Sequence, residues 1–167
     1  MNRPDLLNRG IELTAFIQYE YTKSDQDFIQ QINNISVTTN RFTALQDITT
    51  WLQQTVTESS SKTSNDFASV EIPKGDYALL SLQIPKNKRV VLFSGDKVRL
   101  LFAGKRNRPM FVLDENSILV LREKIEIYYN TNNLQDVSKL MIRYPKSARV
   151  EISKDVKISL FSMKSQE

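Results

Sequence analysis

At 167 residues, 40% of them hydrophobic and 25% charged, the chain is long enough for one domain with a real core and too apolar for wholesale disorder. It contains no cysteine and no histidine. That excludes disulfides, thiolate chemistry, Ser-His and Cys-His nucleophile pairs and histidine metal sites, so any catalysis would rest on Asp, Glu, Lys, Arg or Tyr.

The net charge of +4 is unevenly placed: residues 1–66 carry 5 Lys/Arg against 8 Asp/Glu, and residues 67–167 carry 18 against 11. No run approaches 18 consecutive apolar residues, and the N-terminus lacks the charged-then-apolar pattern of a signal peptide. The expectation is a chain made in the cytoplasm, soluble and without a membrane partner.

From the N-terminus, Ile11, Leu13, Ala15, Ile17, Tyr19 and Tyr21 alternate at period two, which predicts a strand, although Ile11, Ala15 and Tyr19 also fit a helix. Ser24, Asp25 and Asp27 then mark a helix start, with Phe28, Ile29, Ile32 and Ile35 as its apolar stripe. A second helix is predicted from Thr39 or Asn40 to about Val56, with Leu45, Ile48 and Leu52 on one face and Trp51 packed beside them. The polar stretch 57–66 reads as a surface loop.

Beyond it the chain repeats itself. Leu82–Leu92, Phe111–Leu121 and Ile142–Ile152 are three copies of one pattern, each with a pair of alternating apolar runs, and the copies are 29 and then 31 residues apart. A third run follows each copy: Val98-Arg99-Leu100, Ile125-Glu126-Ile127 and Val156-Lys157-Ile158. A fixed period of this size, with three short strands and no helix per period, predicts a stacked repeat that closes one triangular turn per copy.

The Ala44-Leu45-Gln46 helix, the Val70–Tyr77 segment "VEIPKGDY" and the Leu82–Leu92 pattern resemble the opening of right-handed parallel β-helix proteins of the pectate-lyase-like class. The resemblance covers about residues 42–161. It implies a mainly β fold: a short right-handed parallel β-helix of three to four turns, an N-terminal capping helix and a small adaptor segment. The division is residues 1–36 as adaptor and 37–167 as helix plus β-helix. A two-layer β-sandwich is the competing fold. It would separate Arg99, Glu126 and Lys157, which the repeat stacks as a plus-minus-plus ladder.

Alternation sends one set of side chains inward: Leu82/Ile84, Val90/Leu92 and Val98/Leu100 in the first copy, with Phe111/Leu113, Leu119/Leu121, Ile125/Ile127 and then Ile142/Tyr144, Val150/Ile152, Val156/Ile158 below them. Outward, Val91, Val120, Leu101 and Tyr128 are expected to form an apolar patch that serves as an interface. The C-terminal end near Phe161 has no evident cap, which points to a neighbouring chain as cover.

Lys105, Arg106 and Arg108, with Lys86, Lys88 and Arg89, are the candidate binding residues for an anionic glycan or an acidic neighbour. Nucleic acid is not expected, because aromatics do not interleave the cations. Nor is a cofactor, since four glycines form no phosphate-cradling loop, nor a metal, since histidine and cysteine are absent and no calcium-like aspartate cluster is present.

The resemblance implies two functional classes. The first is a non-enzymatic structural or glycan-binding module, most like a phage tailspike or virion appendage component, homotrimeric or bound to other subunits. The alternative is a polysaccharide lyase or glycoside hydrolase, with Asp96, Asp114 and Glu126 as its carboxylates and Arg122 and Arg143 as its cations.

Overall fold

The computed structural model describes residues 11–13, 17–18, 45–61, 67–133 and 135–162. The predicted helix at 24–35 and the start of the one at 39–44 lie outside these. The described residues are mainly β, with three parallel sheets and two helices.

Each repeat gives one strand to each sheet. In the first copy these are β6 (Leu82–Ile84), β7 (Arg89–Phe93) and β8 (Val98–Phe102); in the second, β9 (Phe111–Leu113), β10 (Ile118–Leu121) and β11 (Ile125–Asn130); in the third, β12 (Ile142–Arg143), β13 (Arg149–Ile152) and β14 (Lys157–Phe161). The strands β4 (Phe67–Glu71), β5 (Gly75–Leu79) and β3 (Gln46–Asp47) extend the stack at one end. At the other end stand β1 (Ile11–Leu13) and β2 (Ile17–Gln18). Sheet A runs β1-β13-β10-β7-β4, sheet B β2-β14-β11-β8-β5-β3, and sheet C β12-β9-β6.

Register follows the repeat. Val90 pairs with Leu119 and Leu119 with Val150; Leu100 pairs with Ile127 and Ile127 with Ile158. Of the eighteen residues expected to point inward, seventeen are buried in one core drawn from all three sheets, and Tyr144 packs against it half-buried. Full burial of such an aliphatic side chain is worth roughly 1.5–3 kcal/mol, so matching apolar rows fix the register of every turn.

Corners are built from local turn chemistry. Asn87 and Asn116 occupy equivalent corners of successive repeats, both with φ of 61°, a left-handed conformation that asparagine tolerates well. The corners also bond to each other: Asn87 N–H donates to the Glu115 carbonyl (3.0 Å), and Asn116 N–H donates to Ser147 Oγ (2.9 Å). Gly75, the first residue of β5, takes φ of 153° where its Pro-Lys-Gly-Asp setting predicts a positive φ.

The first helix departs from expectation at both ends. It runs from Thr49 to Ser61 (α1), later than predicted at its start and into the stretch expected to be loop at its end. Gln46–Asp47 pair with Tyr77–Ala78 as β3, and Asp47 Oδ1 accepts the Thr49 N–H at 2.9 Å, so the helix starts only after that turn. Ile48, Leu52 and Val56 are buried, but Trp51 is 43% exposed rather than packed.

A second helix, Val137–Met141 (α2), fills part of the insertion that lengthens the 31-residue interval. It leads directly into β12 and buries Val137 and Met141 in the core.

The expected bare C-terminal end carries a further pair of strands. There β1 pairs with β13 and β2 with β14, both parallel, in the registers Ile11↔Val150, Leu13↔Ile152 and Ile17↔Ile158. The period-two reading of 11–21 is met at the described positions 11–13 and 17–18; the rest of that span lies outside the described residues.

Candidate functional site

The outer face of sheet B carries a ladder of alternating charge. Register places Asp76, Arg99, Glu126 and Lys157 on one row across four strands. The predicted Arg99–Glu126–Lys157 stack is present, and Asp76 extends it. Arg99 donates to Asp76 through Nε (2.8 Å to Oδ1) and Nη2 (2.6 Å to Oδ2), a bidentate pair on a largely covered guanidinium.

Hydrogen bonding to Asp76 raises the Arg99 pKa, against a lowering by burial. Glu126 takes Lys97 at 3.7 Å, Lys157 at 4.0 Å and the Tyr128 hydroxyl at 3.1 Å. The Lys157 ammonium also sits 5.7 Å from the centre of the Tyr128 ring. A carboxylate so engaged is a structural partner.

The six candidate cations fall into two groups on different corners. Lys86, Lys88 and Arg89 surround the turn between β6 and β7, directly above Asp114 and Glu115 of the next repeat. Their field is therefore partly met within the protein. Lys105, Arg106 and Arg108 lie in the loop between β8 and β9, and Lys105 and Arg108 are exposed.

That loop is held firmly. Asn107, at φ of 67°, donates its N–H to the Asn130 carbonyl (3.0 Å) and its amide Nδ2 to Asn132 Oδ1 (2.8 Å). Its Oδ1 accepts from Thr131 Oγ1 (2.6 Å) and from the Asn132 N–H (3.2 Å). The Tyr129 hydroxyl donates to the Arg108 carbonyl at 2.6 Å, and burial pushes that phenol's pKa up. Arg106 Nη1 reaches Ser162 Oγ at 3.1 Å. The cations thus stand on a fixed corner.

The five residues of the enzymatic reading are spread over two corner positions and two strands, with Asp96 and Arg122 in the same corner position of successive repeats. Asp96 lies in the β7–β8 corner, Arg122 in the β10–β11 corner, Asp114 in the β9–β10 corner, Glu126 on β11 and Arg143 on β12. Asp96 Oδ1 accepts the Lys97 N–H (2.7 Å) and its carboxylate lies 3.7 Å from Lys74. That backbone bond, then Lys74, holds the Asp96 pKa below the ordinary value, the wrong direction for a proton donor.

Asp114 borders a shallow groove of about 340 Å³ between α1 and sheet C, lined also by Gln53, Thr57, Gln83 and Val112. Much of that lining is already committed. Gln53 accepts the Gln83 N–H (2.9 Å) and donates to the Gln83 carbonyl (3.0 Å). Its side-chain amide stands in for a neighbouring strand at the edge of β6.

The expected apolar patch is assembled but not exposed. Register joins Val91 to Val120 and Leu101 to Tyr128, as expected. Yet Val91 is 5% exposed, Val120 8%, and Leu101 and Tyr128 0%. All four lie outside the main core, on the outer faces of sheets A and B, and are buried there. The exposed surface on which the interface expectation rested is absent. In the same row as Leu101 and Tyr128, Ser159 is fully buried and its Oγ has no hydrogen-bond partner.

Sequence reasoning missed Asp76, Gln53 and Asn107. Asp76 was findable, because Gly75–Leu79 alternates like Val98–Phe102 and pairs with it residue for residue. No sequence signal marks Gln53. Among the described residues there is no cluster of His, Cys, Asp or Glu that could hold a metal, and no helix long and apolar enough to cross a membrane. No family model, curated protein or solved structure matches the chain.

Proposed function

We propose that the three sheets are the faces of a short right-handed parallel β-helix that serves as a non-enzymatic module of a multi-subunit assembly, of the kind found in tailspikes and virion appendages. In this reading the corner bearing Lys105, Arg106 and Arg108 holds an anionic glycan. One observation carries it: these cations sit on a loop fixed by the four hydrogen bonds of Asn107, so little ordering entropy is spent on binding. The dispersal of Asp96, Asp114 and Glu126 over separate corners and strands favours binding over cleavage.

The test is retention on a sulfated polysaccharide matrix against a neutral one, at two salt concentrations. Salt-sensitive retention that is lost in the triple variant Lys105→Ala, Arg106→Ala, Arg108→Ala supports the site. Equal retention of the variant would refute it. Solution mass by light scattering reads the assembly separately: a stable multiple of 19.3 kDa is expected, and three copies would give the trimer.

A further inference from the structure

The cations of the 105–108 corner have company on the next turn of the stack. Met110 N–H donates to the Met141 carbonyl at 2.8 Å, and Val112 pairs with Arg143 in register. Lys139 of α2 stands two residues before that bonded pair, as Arg108 does on its own turn. Residues 103–110 hold Lys105, Arg106 and Arg108 and no acid, and residues 137–143 hold Lys139 and Arg143 and no acid. Lys105, Arg108, Lys139 and Arg143 are all exposed. Among the described residues, none of these four side chains has a hydrogen bond or an ion pair.

Several cations elsewhere are met by neighbours: Lys74 by Asp96, Lys97 and Lys157 by Glu126, Arg122 by Glu123, and Arg149 by Glu151. Uncompensated charges on successive turns add into one field, which attracts a chain of anions more strongly than a single one. Acids set the direction of that chain. Along β9 the path from Arg108 ends at Asp114 and Glu115, which repel an anion, whereas one turn on it meets Lys139 and Arg143. Beside Arg143 the half-buried Val112 gives the outer face of sheet C an apolar spot against which a sugar ring can lie.

We infer that the anionic-glycan site runs over two turns: Lys105, Arg106 and Arg108 hold one part of a polyanionic saccharide, and Lys139 and Arg143 hold its continuation over the start of sheet C. Arg108 lies four residues before Val112, at most about 13 Å along the chain, and one strand spacing of about 4.8 Å separates Val112 from Arg143. A site of that span takes several linked rings, so the ligand is a chain of repeating charged sugars, and a single anionic sugar fills only part of it. The inference rests on the glycan reading of the corner, and its test separates the two.

Fluorescence anisotropy with a labelled sulfated disaccharide and a labelled sulfated octasaccharide of the same repeat reads the span. The wild-type protein should bind the octasaccharide about tenfold more tightly than the disaccharide. Lys139→Gln with Arg143→Gln should weaken octasaccharide binding about tenfold and flatten its salt dependence, and should leave the disaccharide unchanged. Lys124→Gln with Lys154→Gln removes the same charge from the exposed corner between sheets A and B and should change neither. Equal loss in the two double variants, or no loss in the first, would overturn the two-turn site while leaving the corner standing. Failure of the wild-type protein to bind either saccharide would remove the corner reading and this one with it. An oligonucleotide of equal charge bound as tightly as the octasaccharide would overturn the saccharide as the ligand.

Discussion

Gly104 shows how tightly single residues are held. A methyl group at its Cα would meet the Phe102 ring 2.5 Å away, and that ring is locked 5.3 Å from the Tyr129 ring. Gly104→Ala is therefore expected to destabilise the protein by roughly 1–3 kcal/mol through overpacking, seen as a lower denaturation midpoint at unchanged m-value. Asp96 makes a second prediction. Its pKa is depressed in the folded state, so its contribution to stability is present above the unfolded value and is lost as pH falls through the folded one. Carboxyl NMR should place its titration midpoint below 3.8, and Lys74→Gln should move it back up.

Strands and corners were the most legible elements, because a buried side chain every second residue leaves a mark in the sequence. Val90, Leu119 and Val150 could be aligned by eye, and their rows hold in register. The outer faces were less legible. Val91 and Val120 alternate as surface residues should, yet both are buried, which no two-residue period can announce. Val120→Asp is accordingly expected to unfold the protein, at a cost of about 3 kcal/mol or more, where an exposed interface would only have dissociated. Circular dichroism with solution mass distinguishes these outcomes.

The candidate site was legible in residue type and not in grouping. The cations of 105–108 were plain in the sequence, whereas the fixing of their loop depends on Asn107 meeting residues 23 to 25 positions away. The Gln53 clamp is similarly non-local. Gln53→Ala should leave the Gln83 N–H and carbonyl unpaired at the edge of β6, costing about 1–3 kcal/mol and raising the tendency to aggregate on heating. Differential scanning calorimetry with turbidity measures both.

At the scale of the whole molecule, both ends of the stack are finished by segments outside the three repeats. One end has α1, β3 and the Gln53 clamp; the other has β1 and β2. The repeat announced the middle, since periodicity is a property of copies. The terminal pieces occur once each and have no second instance to be recognised against. Removal of residues 1–18 should bare the edges of β13 and β14, and the truncated protein is expected to grow into aggregates beyond the full chain's own mass in solution, as seen by light scattering.

The pairing of Ile11 with Val150 also sets an order of events in time. Residues 11–13 and 17–18 leave the ribosome roughly 140 residues ahead of their partners on β13 and β14. At about 5–20 residues per second, the interval is on the order of ten seconds. Throughout it the leading strands wait without a template of their own. The far end of the stack therefore closes by reaching back to strands made long before, so this closure is a late, long-range step of folding.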